Sequence, residues 1–183
     1  MPKVAYQGSV GAFSQLAAES RIAGARATGF ADFDGVVRAV RSGKADLGLV
    51  PVWNSTIGEI ETSRAALHSA TDLEEVDRFE FPICLCLLAL PGTAVRTIRS
   101  VESHPEALKQ CVGFLATHRL TPKVADDTAE SARRISLDRN YTRAAVASER
   151  AAEHHGLEVL YRDIADARDN RTAFVVIAPG AAR

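Results

Sequence analysis

Five short loops concentrate the side chains able to do chemistry, and several share one design, a small polar residue between a strand end and a helix start. Gly8-Ser9-Val10-Gly11-Ala12-Phe13-Ser14 follows a strand-like run; its glycines let backbone approach a ligand closely, and Ser14 is placed to cap the next helix. Asn54-Ser55-Thr56 follows another apolar run, and Thr56 with Glu59 has capping-box spacing. That spacing accounts for Thr56 and Glu59 but not for Asn54 and Ser55, whose donors and acceptors remain to be explained. Ser103-His104-Pro105-Glu106 repeats the capping pattern ahead of Gln110 and Cys111, and Asp127-Thr128-Ala129-Glu130 repeats it again. Asn170-Arg171-Thr172-Ala173-Phe174 leads into the last apolar run. Small polar residues between a strand end and a helix start suit an anion, because unpaired N–H groups and the helix dipole converge there.

Nothing in the composition supplies a stronger attraction. The 183 residues carry 22 Lys+Arg against 23 Asp+Glu, a formal charge of -1, so no net field favours nucleic acid or membrane and any anion must be gripped locally. The start lacks the apolar stretch of a signal peptide and no run reaches membrane-spanning length, which makes the cytoplasm the expected location. Cys84, Cys86 and Cys111 match neither redox nor zinc spacing and read as core thiols. Asn54 also heads a glycosylation sequon, which an unsecreted chain does not use.

The elements that must position these loops alternate as in parallel α/β units. Residues 4–6, 27–30 and 45–50 read as strands, and Phe33, Val36, Val37 and Val40 share one helical face that stops at Gly43. A long apolar run over residues 79–90 ends at Pro91-Gly92. The alternation then begins again, with strands expected near 98–101, 123–125 and 144–147 and helices over 105–118, 128–137 and 148–155. Residues 157–161 and 173–177 read as closing strands, and residues 179–183 as a loose tail. The organisation expected is α/β with two lobes of mixed or parallel sheet and flanking helices: residues 1–77 plus 157–183 form one lobe, 78–156 the other, and the ligand cleft lies between them.

Taken together the loops resemble the prephenate dehydratase family. The resemblance runs over residues 4–177 through Tyr6-Gln7-Gly8 to Ser14, Gly48-Leu49-Val50-Pro51 with Asn54-Ser55-Thr56, Ser103-His104-Pro105 with Gln110-Cys111, Thr128-Ala129-Glu130-Ser131-Ala132, and Ala147-Ser148-Glu149-Arg150-Ala151-Ala152 with Gly156-Leu157. It implies a periplasmic-binding-protein-like fold and conversion of prephenate to phenylpyruvate in phenylalanine biosynthesis. It also implies no metal or organic cofactor, and a homodimer or higher homo-oligomer. It assigns Thr172 to the leaving hydroxyl as the catalytic residue. Asn54, Ser55, Thr56, Gln110, Gly11, Ala12, Ser103, His104 and Phe174 fall on its substrate side. The regulatory ACT domain that many members carry has no counterpart in these residues.

Two positions depart from the family pattern. The Thr-Arg-Phe motif reads Thr172-Ala173-Phe174, and the Glu-Asn-Ser motif reads Trp53-Asn54-Ser55. If the missing cation and anion normally pair, their joint loss is one linked exchange of an ion pair for apolar packing. The same departures also fit a branch of the family that decarboxylates prephenate without aromatising it. Arogenate, with an amino group in place of the keto group, is an alternative substrate, and a non-catalytic binding module is the alternative from another class.

Overall fold

The apolar runs at the start of the chain become one sheet in the computed structural model, which describes residues 1–180. Strand β1 (Lys3–Gln7) lies between β2 (Arg26–Phe30) and β3 (Leu47–Asn54) and runs parallel to both, with helices α1 (Phe13–Arg21) and α2 (Phe33–Arg41) as the crossovers. Asp32 starts α2 by accepting the Gly35 N–H at 2.6 Å, a cap that contributes about 1 kcal/mol. The left-handed Gly43 ends it.

Antiparallel strands β5 (Leu73–Pro82) and β11 (Arg171–Pro179) complete the order β2-β1-β3-β11-β5, with the short β4 (Gly58–Glu59) paired to β3. The sheet has two distinct faces. On one, Val36 and Val40 of α2 and Ala66 of α3 (Glu61–His68) pack against Val50, Val52, Val175 and Ile177. On the other, Ala17 and Ala18 of α1 pack against Val4, Leu49, Phe174 and Val176.

A second sheet has the order β10-β6-β9-β7-β8. Its strands are β6 (Cys86–Ala89), β7 (Ser100–Ser103), β8 (Thr121–Val124), β9 (Arg143–Ala147) and β10 (Glu158–Tyr161). The inner strand β6 is buried along its whole length, as strands covered on both faces are. Helices α4 (Pro105–Lys109), α5 (Val112–Thr117), α6 (Thr128–Asp138) and α7 (Glu149–His155) accompany it. The fold is therefore α/β with two mixed sheets and flanking helices, and no helix among the described residues is long and apolar enough to cross a membrane.

Several boundaries differ from the sequence expectation. The two compact units are Met1–Ser9, Phe13–Pro82 and Arg171–Arg183, and Val10–Ala12 with Ile83–Asn170. The closing strand at 158–161 therefore joins the second unit, because β10 pairs with the free edge of β6 rather than with the first sheet. The apolar run 79–90 is not one element: it divides between β5 and β6, with residues 83–85 connecting them.

The helix expected over 105–118 breaks at Gln110-Cys111. Asp166 is the reason: its N–H takes the Gln110 carbonyl at 2.7 Å, and its carboxylate accepts the Gly113 N–H in the first turn of α5. Of the expected tail, Pro179 belongs to β11 and the Gly180 N–H bonds the Asp72 carbonyl at 3.0 Å, while residues 181–183 lie outside the described residues.

Candidate functional site

In the first unit the site grows from the pairing of β3 with β11. Thr172 stands opposite Asn54 and Ala173 opposite Trp53, but the next pair is Phe174 with Pro51, so Val52 is an extra residue in β3. This bulge breaks the two-residue alternation. Trp53 consequently shares the Val52 face, whereas Asn54 and Thr172 project from the other, the face of Phe174.

Asn54 and Thr172 are buried, at 4% and 7% exposure, and linked: the Asn54 Nδ2 donates to Thr172 Oγ1 at 2.9 Å. The direction of that bond is dictated by the turn that follows. The Asn54 Oδ1 accepts the N–H groups of Thr56 (2.9 Å) and Ile57 (3.3 Å) and the Thr56 hydroxyl (2.6 Å). Backbone N–H groups can only donate, so the amide oxygen must face the turn and the amide nitrogen must face Thr172. The Thr172 oxygen is thereby an acceptor, and its own proton has no partner among the described residues. The arrangement leaves the Thr172 hydroxyl free to donate.

Other expected residues have different tasks. Ser55 extends the ladder by one rung, its N–H donating to the Arg171 carbonyl and its Oγ accepting the Arg171 N–H, both at 2.9 Å. The Thr56–Glu59 capping box does not form: Glu59 pairs with Trp53 in β4, Thr56 serves Asn54, and α3 begins after an uncapped Ile60. Phe174 is a core residue at 2% exposure, stacked on Phe79 with ring centroids 5.9 Å apart, because strand alternation carries it under α1.

The opposite face carries both departures from the family pattern. Trp53 and Ala173 are cross-strand partners, as a linked exchange requires. Ala173 packs against the α2–α3 core, and Trp53, 39% exposed, borders a hollow of about 860 Å³ with Val52, Arg64, Leu67, His68 and Arg78.

In the second unit, Gln110 is the expected residue most firmly held. Its backbone carbonyl is taken by Asp166, and its side-chain Oε1 accepts the Asn170 Nδ2 at 2.6 Å. Gly11 and Ala12 also belong to this unit. Ser148, the N-cap of α7, donates its hydroxyl to the Gly11 carbonyl at 2.5 Å, and a Cβ on Gly11 would come within 2.7 Å of the Ala151 Cα, so only glycine fits that approach.

Ser103 is fully buried and donates to the Val146 carbonyl at 2.6 Å, which makes it a bond between strands. His104, rather than Ser103, caps α4, its Nδ1 accepting the Glu106 N–H at 3.2 Å. Asn170, Asp166 and Ser148 position these groups without belonging to any motif of attack or ligation. In sequence Asp166 offers only a small polar residue in a loop, whereas Ser148 lies in a segment that carries the family resemblance and Asn170 in the loop before the last apolar run.

Burial pushes the Cys86 and Cys111 thiols up to about 12, with the neighbouring Cys84 adding to the first and Asp166 to the second, so neither is a thiolate at neutral pH. Cys84 is exposed, contrary to the core reading, and its sulfur lies 3.8 Å from that of Cys86.

The profile of the prephenate dehydratase family matches residues 4–182. The arogenate dehydratase/prephenate dehydratase 2 of Arabidopsis thaliana is 37% identical over 176 residues, 96% of this chain and 46% of that protein. Among solved structures, prephenate dehydratase from Arthrobacter aurescens in complex with L-Phe superposes with a TM-score of 0.90 at 26% identity, covering 98% of this chain and 61% of that one. The quorum-quenching acylase GqqA has a TM-score of 0.90 at 32% identity, covering 99% and 65%. The chain thus spans about half the length of the curated relative and under two thirds of each structure.

Proposed function

This chain belongs to the prephenate dehydratase family, and from that premise we propose that it converts prephenate to phenylpyruvate, with Thr172 facing the leaving hydroxyl. The observation that carries the reading is the polarity of the Asn54–Thr172 bond, which makes Thr172 an acceptor towards the protein and a donor towards a ligand. In the reaction the ring carboxylate leaves as carbon dioxide, and its bonding electrons enter the ring. The ring carbon–oxygen bond breaks in concert, and the departing hydroxide becomes water with a proton that comes ultimately from solvent.

Hydroxide is a poor leaving group, so a donor held in line with it lowers the barrier. A threonine hydroxyl is too weak an acid to supply the proton alone. Thr172 therefore orients the leaving oxygen and relays a proton, while Asn54 sets its direction. Gln110 is assigned to substrate binding, and Gly11 and Ala12 to backbone contact. Ser55 acts through the loop it closes onto Arg171.

Dehydration, rather than decarboxylation alone, is favoured because Trp53 and Ala173 lie on the face of the sheet away from Thr172. Arogenate is the second substrate to test, since the Arabidopsis relative is named for both. The protein is incubated separately with prephenate, arogenate and an N-acyl-homoserine lactone, the last because a 33% identical relative from Komagataeibacter europaeus is named as both an acylase for such lactones and a prephenate dehydratase. Thr172→Ala is run alongside, and products are followed by absorbance and mass spectrometry. Phenylpyruvate from the parent is expected. In Thr172→Ala, kcat should fall ~10²–10⁴-fold with KM changed by less than about threefold. A decarboxylated product that keeps its hydroxyl, or turnover of the lactone alone, overturns the assignment.

A further inference from the structure

We propose that Asn170 is a positioning residue that sets the polarity of Gln110, turning the amide oxygen inward and presenting the amide nitrogen to an acceptor oxygen of the substrate. The inference rests on the assignment of Gln110 to substrate binding.

Gln110 is the C-cap of α4, just before α5 begins. The segment that includes Asp166 and Asn170 fastens it twice. Asp166 takes the backbone carbonyl that a continuous helix would have used internally, and its carboxylate holds the first turn of α5 through the Gly113 N–H. A side chain on Gly113 would meet the Asp166 Oδ1 at 2.7 Å, so the glycine permits this capture. The second fastening is on the side chain, where the buried Asn170 (5% exposed) donates Nδ2 to Gln110 Oε1 at 2.6 Å. The Gln110 Nε2 has no partner among the described residues.

An amide has one accepting and one donating end. With the oxygen consumed by Asn170, Gln110 offers only donors, the polarity suited to a carboxylate or carbonyl oxygen. Asn170 has no place in the family pattern described above, yet it lies two residues before Thr172 in the chain. A single segment therefore carries one residue that fixes a binding group and another that faces the leaving group.

The test uses the intact chain and compares Asn170→Ala, Asn170→Asp and Gln110→Ala with the corresponding double variants. Asn170→Asp is nearly isosteric but has no donor, so it draws the Gln110 Nε2 inward and turns the oxygen towards the substrate. The expected loss in kcat/KM, mostly through KM, is ~10²-fold for Asn170→Asp and ~10-fold for Asn170→Ala. In the Gln110→Ala background Asn170→Asp should change kcat/KM by less than about twofold, a coupling that a purely structural role does not produce.

If Asn170→Asp fails to fold, Asn170→Ser supplies the readout: its hydroxyl can donate, and it should retain more kcat/KM than Asn170→Ala. Full activity in Asn170→Asp, equal loss in both backgrounds, or Asn170→Ser no better than Asn170→Ala overturns the proposal while leaving the role of Gln110 intact. An unimpaired Gln110→Ala overturns the substrate role of Gln110 itself.

Discussion

Trp53 and Asn54 are adjacent in β3 and so point to opposite faces, the bulge at Val52 having set which face each takes, and the two faces are held by different physics. On the Asn54 face the polar groups are buried and the direction of each bond follows from the one before: the turn N–H groups orient the amide, and the amide orients the Thr172 hydroxyl. On the Trp53 face an indole that borders a hollow stands across the strands from the small Ala173. A chain of directed hydrogen bonds does not tolerate replacement of one member, because the partner is left buried and unpaired. Apolar packing tolerates exchange when the partners change together. Of the family motif residues that persist, Asn54, Thr172 and Phe174 lie on the first face and Ser55 follows the end of β3, whereas the two that differ lie on the second face. Divergence here follows the tolerance of each face.

Asn54→Asp is the sharpest attempt to break this contrast. The carboxylate keeps acceptors for the Thr56 and Ile57 N–H groups but has no donor for Thr172, whose hydroxyl then donates to Asp and no longer to the ligand. The expected fall in kcat is ~10²–10³-fold, accompanied by a lower Tm because a carboxylate is buried, measured by steady-state kinetics and thermal melting. A kcat within twofold of the parent would mean that the direction of the bond does not matter.

Trp53→Glu should have a smaller effect and a different kind of effect. Losing the indole contact costs about 1–2 kcal/mol of stability, and adding Ala173→Arg recovers about 0.5 kcal/mol through the cross-strand pair, read from denaturant curves. In both variants kcat should stay within about threefold of the parent, since neither side chain shares the Thr172 face. A Trp53→Glu protein as slow as Asn54→Asp would show that the faces are coupled.

How much of this was legible in sequence depends on the kind of contact. The period of the valines in α2 and the glycine stop at Gly43 report local geometry, and both the helix and its end lie where they were expected. The loops around Asn54, Gln110 and Thr172 were recognisable as a set. The Val52 bulge was not, because an extra residue in one strand has meaning only against its partner, which follows more than a hundred residues later. The break after Lys109 was hidden for the same reason: Asp166 ends the helix from a distant loop, while residues 105–118 alone read as one helix. Ser103 and Thr56 show the reverse error, small polar residues whose types suit ligand binding but whose bonds are spent on Val146 and Asn54. Their partners again come from the fold and not from spacing.

The finest test of the directed face is Thr56→Val, which removes a hydroxyl donor to the Asn54 Oδ1 and leaves the side-chain volume almost unchanged. The two backbone N–H groups remain, and since they already forbid an amide flip, the Asn54 nitrogen should continue to face Thr172. What is lost is one hydrogen bond of about 1 kcal/mol, which loosens the angle at which the amide meets the Thr172 oxygen. The expected result is a ~2–5-fold fall in kcat at saturating substrate, with KM nearly constant. In the Asn54→Asp background the same change should have almost no effect on kcat, because the donor it helps to aim is already gone. If Thr56→Val alone were as damaging as Asn54→Asp, the hydroxyl and not the backbone of the turn would be setting the polarity. The orientation of Thr172 would then rest on a side chain that sequence reading had assigned to a helix cap.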